Sequence, residues 1–160
     1  RFINAFSKAS ASKRSFREWW RGSKRWMRYW YLRLMRQNSS PKNLAAACAL
    51  GEHDFHAFMS AGTTMERTVR TVYRSEWTRD GAYLYYDVTA NGFLYNMVRI
   101  LTGTMLEIGA GRLAEDALSR ALISGVRTEA GATAPAHGLS LVRVQYDGFD
   151  TDEVLSGWLR

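Results

Sequence analysis

Only one of the 160 residues is a cysteine, Cys48, so the chain can form no internal disulfide and offers no cysteine cluster for a metal. Its Ala-rich surroundings read as helix. There a small core role fits Cys48 better than a catalytic thiol, because no electropositive partner adjoins it in sequence. A single thiol also points to a reducing compartment. No apolar run approaches the length of a membrane span, so no membrane is expected as a partner. There is no internal repeat and no low-complexity linker. Acidic residues are scarce in one place: residues 1–42 hold twelve Lys or Arg against the single acid Glu18. Taking these from the 22 basic and 15 acidic residues of the whole leaves ten bases and fourteen acids for the other 118 positions. The formal net charge of +7 therefore originates entirely in the first quarter. The chain opens on Arg1 rather than Met, from which a processed or truncated chain is expected.

What fills that first quarter divides the chain into a basic, Trp-rich segment, residues 1–42, and a second region, residues 43–160. Lys13, Arg14, Arg17, Arg21, Lys24, Arg25 and Arg28 alternate with Phe16, Trp19, Trp20, Trp26, Tyr29, Trp30 and Tyr31. Cations neutralise phosphates and aromatic faces accept stacked bases, so this mixture fits RNA. A solvated basic face with a few strand aromatics turned to the core is the other arrangement open to it. Residues 16–20 and 28–34 are expected as short strands around Gly22-Ser23, although Trp26 and Trp30 also suit one helical face. The Arg- and Ser-rich start, Ser7 to Arg14, resembles an organelle transit peptide in composition, while the density of Trp argues that most of the segment folds. The compartment expected is the cytoplasm or the mitochondrial matrix, with the organelle favoured.

Downstream, Ser39-Ser40-Pro41 predicts a helix start, with Ser as cap and Pro at the first position, and Gly51 a stop. Gly51-Glu52-His53-Asp54-Phe55-His56 has no clean period. Two histidines three apart could suggest a metal site, but Gly51 precedes them and no third ligand is signalled. Polar groups capping and cross-linking a turn are expected instead. The β-branched and aromatic run Thr68–Trp77, a turn at Thr78–Gly81 and an alternating run Ala82–Val88 predict a hairpin, with Leu84, Tyr86 and Val88 facing one way. A helix is expected at Ala114–Ser124 with Glu115 and Asp116 in its first turn, a loop at Gly131–Gly138, a strand at Leu139–Tyr146 with Val142, Val144 and Tyr146 on one face, and a short terminal helix between Asp150 and Leu159. Together these indicate an α+β fold, a mainly antiparallel sheet with helices packed on one face.

Between hairpin and second helix lies Asn91–Gly109. Phe93, Met97, Ile100, Leu101 and Ile108 follow helical spacing, Asn91-Gly92 offers a start and Gly109 a stop, so an amphipathic helix is expected throughout. Its one central charge, Arg99, has no acid three or four positions away on either side, and the helix cannot pair it locally. Either a partner comes from elsewhere, or Arg99 reaches solvent and the helix serves only as core.

Three separated motifs then agree on one family. Gly51-Glu52-His53-Asp54-Phe55 with Ala57-Phe58, Asn91-Gly92-Phe93-Leu94-Tyr95-Asn96-Met97-Val98-Arg99-Ile100, and Thr133-Ala134-Pro135 with His137-Gly138-Leu139 resemble, in order and spacing, the C-terminal half of the TruA-type tRNA pseudouridine synthases. The resemblance covers roughly residues 43–146 and thins upstream, where Lys13 to Arg17 is similar to the family's Tyr-centred strand. It implies a pseudouridine-synthase-like half domain, isomerisation of uridine to pseudouridine in the anticodon arm of tRNA, and no cofactor or metal. In that family an aspartate attacks the nucleoside, a tyrosine stacks on the base and an arginine pairs with the aspartate. Arg99 matches the arginine, and the resemblance places Leu139, His137 and Asn96 near the substrate, with Phe16 where the stacking tyrosine stands. The family's Arg-Thr-Asp loop is missing, since none of Asp54, Asp80, Asp87, Asp116, Asp147, Asp150 or Asp152 stands in that context, and Ala90 replaces the usual Gly. Two expectations follow: an RNA-binding synthase domain completed by a second synthase half, or an inactive synthase-derived component of a ribonucleoprotein such as an organellar ribosome, with tRNA or rRNA and ribosomal proteins as partners.

Overall fold

The computed structural model describes residues 2–9, 40–60, 62, 65–81 and 83–158. The strands expected at 16–20 and 28–34 lie outside the described residues, and with them Phe16, Lys13, Arg14, Arg17, Arg21, Lys24, Arg25 and Arg28. In chain order the elements are β1 (Phe2–Ala9), α1 (Ser40–Cys48), β2 (Gly51–Asp54), β3 (Val69–Asp80), β4 (Tyr83–Ala90), α2 (Met97–Gly109), α3 (Ala117–Ser124), β5 (Leu139–Tyr146), β6 (Phe149–Asp150) and α4 (Thr151–Trp158). Short 3-10 turns at His56–Phe58, Arg127–Glu129 and Ala136–Gly138 join them.

The six strands form one sheet in the order β2-β3-β4-β1-β5-β6, every described ladder antiparallel. This is the α+β architecture expected. The sequence assigned no element to residues 2–9, yet β1 lies between β4 and β5 and joins the hairpin half of the sheet to its C-terminal half. In β4 the alternation holds along the whole strand: Leu84, Tyr86, Val88 and Ala90 are buried, their neighbours less so. In β3 it slips. Val72 is opposite Ala90 and Arg74 opposite Thr89, so Tyr73 is an extra residue, a bulge that shifts the buried set from Val72 to Ser75 and Trp77. The strand also runs on to Asp80, through the positions expected as its turn. Trp77 stacks on Tyr86 with ring centroids 5.0 Å apart, and the Tyr86 hydroxyl meets that of Ser75 at 2.8 Å. Burial pushes the Tyr86 phenol well above its ordinary range.

On this face α1, α2 and α3 close one core, which includes Ala45, Ala46, Ala49, Met97, Ile100, Leu101, Met105, Leu118 and Ala121. Each large side chain among them contributes about 1.5–3 kcal/mol by leaving water. Cys48 corrects an expectation: it is exposed, because the helical period turns Ala45, Ala46 and Ala49 inward. The second correction is to α2. It starts at Met97, not Asn91, because residues before it are held in other pairings: the Asn91 N–H donates to the Thr71 carbonyl (3.0 Å), the Asn91 side-chain oxygen accepts the Thr71 N–H (3.0 Å), and the Tyr95 carbonyl accepts the Ser60 N–H (3.2 Å). Nor is α2 two-faced. It is buried on nearly every side, the Thr102 and Thr104 hydroxyls donating to the Val98 and Ile100 carbonyls at 2.7 and 2.8 Å, and only Arg99 and Glu107 are partly exposed. Likewise α3 begins at Ala117, with Glu115 and Asp116 before it rather than in its first turn.

Candidate functional site

Asn96 stands at the N-terminus of α2 with φ 63 and ψ 7, the one non-Gly residue with positive φ among those described. Asn bears this left-handed conformation better than most residues, since its short polar side chain can bond locally. One turn later comes Arg99, half-buried. Its Nε donates to the Ala134 carbonyl at 2.7 Å and its Nη1 to the Asn96 Oδ1 at 2.7 Å, while the Ala134 N–H returns to the Arg99 carbonyl at 3.0 Å. Asn96 Nδ2 donates in turn to the Ser60 hydroxyl at 2.9 Å. The guanidinium is therefore anchored rather than merely reaching for solvent.

The anchor depends on how the loop carrying Ala134 meets the helix. A Cβ at Gly103 would lie 1.7 Å from the Ala132 carbonyl oxygen, and one at Gly131 would lie 2.7 Å from the Thr104 Cα. Both positions thus require glycine for close backbone approach. The Gly131 N–H donates to the Thr104 hydroxyl at 2.9 Å. Arg127 binds the loop from its other side, Nη1 to the Gly131 carbonyl at 3.0 Å and Nη2 to the Thr133 hydroxyl at 3.3 Å. These restraints fix Ala134 where Arg99 needs it.

Among the described residues no carboxylate completes the arrangement. Of the chain's fifteen Asp and Glu side chains all but Glu18 are described, and none of the described ones pairs with Arg99. The two neutral acceptors satisfy two of five N–H groups, and no described carboxylate compensates the charge. Of the residues expected at the site, the fold brings Asn96 and Arg99 into direct contact. His137, in the turn Ala136–Gly138, and Leu139, the first residue of β5, are exposed and follow the anchored Ala134 along the chain. The first motif, Gly51 to Phe58, forms a short strand and a turn. His53 and Phe55 meet edge to face at 5.9 Å, His53 Nε2 lies 2.8 Å from the Leu50 carbonyl, and Asp54 Oδ1 accepts the His56 N–H at 2.9 Å. The strand Gly51–Asp54 was not anticipated. Gly103, Gly131, Arg127 and Ser60 also escaped the sequence reading. A glycine in mid-helix, which costs about 1 kcal/mol relative to Ala, was the available signal for the first. Ser60 and Asn96 are 36 residues apart, and no local pattern joins them.

Comparison with known proteins places this stretch of sequence in one family. The family model for tRNA pseudouridine synthase matches residues 45–147, which include Asn96, Arg99, Gly103 and the whole docked loop. The chain is 46% identical over 102 residues to tRNA pseudouridine synthase A of Moorella thermoacetica, 43% over 112 residues to that of Bacillus subtilis and 48% over 108 residues to that of Geobacillus kaustophilus. These alignments take in 64%, 70% and 68% of the chain but only 42%, 45% and 42% of the relatives, so the chain spans less than half the length of the curated relatives it matches. With its family model covering well over half of it, the chain belongs to the tRNA pseudouridine synthase family.

Proposed function

We propose that the chain supplies the arginine side of a pseudouridine synthase site acting on RNA, with tRNA as the substrate class the relatives' names point to. The observation that carries this reading is the half-buried Arg99 guanidinium, anchored by two neutral acceptors and facing no carboxylate among the described residues. Such a group receives a carboxylate readily. An incoming aspartate gains charge-assisted hydrogen bonds and a neighbouring positive charge, which keep it ionised and oriented for attack on the nucleoside. Leu139, beside the docked loop, offers an apolar surface to a base drawn out of its stack. The basic residues from Lys13 to Arg28 contribute phosphate contacts. The chain works in a reducing compartment, the cytoplasm or the mitochondrial matrix.

A second reading rests on a separate observation. Phe16 stands where the resemblance sets the stacking tyrosine, a replacement that suits an inactive, synthase-derived component binding tRNA or rRNA inside a ribonucleoprotein. One assay separates the two. Pseudouridine formation in tRNA transcripts is measured with the chain alone, with an added polypeptide carrying the Arg-Thr-Asp loop, and with the Arg99→Ala variant. Formation that needs the added loop and disappears in Arg99→Ala is expected. Its absence in every mixture, together with stoichiometric capture of the chain in a ribonucleoprotein, establishes the second reading instead.

A further inference from the structure

We infer that Asn96 is the positioning residue of Arg99, an inference that rests on the reading of Arg99 as the group offered to an incoming carboxylate. Asn96 faces two neighbours with opposite needs. The Arg99 guanidinium has donors only, so the Asn96 atom toward it, 2.7 Å from Nη1, must be the oxygen. That sets the amide, leaving Nδ2 to face Ser60, whose hydroxyl accepts at 2.9 Å. Few side chains meet both demands while also accepting φ 63 at a helix start. Gly accepts the backbone angle but provides no acceptor, and Ala provides neither.

The consequence is a guanidinium plane fixed at two corners. Ala134 holds Nε and Asn96 holds Nη1, so rotation about the Cδ–Nε and Nε–Cζ bonds breaks at least one bond. Nη2 remains without a protein acceptor among the described residues, as the donor group available to a carboxylate. Preorganising that group before the partner arrives lowers the ordering cost of forming the pair. The Ser60 N–H is bound to the Tyr95 carbonyl at 3.2 Å, so the far end of the relay is itself tied to the segment preceding α2. Asn96 thereby acts through Arg99, and its side-chain hydrogen-bonding atoms toward the protein are already occupied.

The test reads Arg99 directly. In the full chain with 13C,15N-labelled arginine, the Arg99 signals are assigned by their loss in Arg99→Lys, and exchange between its two Nη groups is measured by NMR. Asn96→Gly keeps the backbone conformation and removes the amide. It is expected to speed Nη exchange about tenfold, the loss of one charge-assisted hydrogen bond, while the Nε–H bound to Ala134 changes much less. Ser60→Ala is expected to speed Nη exchange by a smaller factor, and Asn96→Asp, which keeps an oxygen facing Arg99, to restore the restraint. Unchanged Nη exchange in Asn96→Gly overturns the inference, as does equal loosening at Nε and Nη, which reports collapse of the loop instead. In the pseudouridine assay with the added loop polypeptide, Asn96→Gly is expected to lower kcat about tenfold with KM unchanged. A wild-type chain inactive in that assay defeats the proposed function but leaves the NMR result to decide on Asn96.

Discussion

β4 and β5 are each eight residues long and comparably rich in apolar side chains, yet every second residue of β4 is buried and no residue of β5 is. Leu84 is 5% exposed, Leu141 65%. The strands differ in what lies over them: β4 faces the core closed by α1, α2 and α3, whereas β5 sits between β1 and the two-residue edge strand β6, with α4 beside it among the described residues. Strand formation follows from β-branched and aromatic content; burial follows from cover, which is set by elements distant in the chain. The Arg99 site lies where the two regions meet, its helix in the core and its anchoring loop leading into β5.

The comparison breaks most visibly by truncating one leucine on each side. Leu101→Ala, in the centre of α2 at 0% exposure, is expected to cost about 3 kcal/mol through lost burial and the cavity left behind. Leu141→Ala is expected to cost less than about 0.5 kcal/mol. Urea unfolding with matched m-values measures both, and equal costs would show that β5 is covered in solution. Gly103→Ala comes next, at about 2 kcal/mol, because the new methyl meets the backbone carbonyl of Ala132 and the loop must lift. Its signature is local: the Arg99 Nε–H signal loses protection from exchange before global stability does. Retained protection would mean that Ala134 does not depend on this close approach.

How far the sequence carried the reading follows the same division. The hairpin, the inward set Leu84, Tyr86 and Val88, and the limits of β5 all show in local alternation, and the fold class followed from their order. The start of α2 did not, because Asn91 to Asn96 have helical apolar spacing but spend their polar groups on Thr71, Ser60 and Arg99. The bulge at Tyr73 and the insertion of β1 between β4 and β5 are also long-range outcomes, invisible to any window of a few residues. At the site, Arg99 stood out as a charge without a local partner. Its actual acceptors, a backbone carbonyl 35 residues away and an amide one turn back, could not be read from residue type.

The smallest expected effect compares two aspartates, one in each region. Asp87 on β4 has its carboxyl pushed above the ordinary 3.8 by burial first, with Arg74 drawing it down and Glu76, its cross-strand neighbour, pushing it further up. Asp150 on β6 is held below 3.8, chiefly by its hydrogen bonds from Arg143, whose Nε lies 3.0 Å away, and by the Asp152 N–H at 3.0 Å. The signs are opposite. The raised carboxyl of Asp87 contributes stability that is fully present below 3.8 and is lost as pH rises through its folded value. The depressed carboxyl of Asp150 contributes stability present above 3.8 and lost as pH falls through its folded value. Carboxyl 13C titration by NMR should therefore place the Asp87 midpoint above 3.8 and the Asp150 midpoint below it, with β5 and β6 amides losing exchange protection only at the acid end. Arg143→Gln should move the Asp150 midpoint up and leave Asp87 where it is. Coincident midpoints in the wild type would remove the electrostatic contrast and leave the difference between the two regions to cover alone.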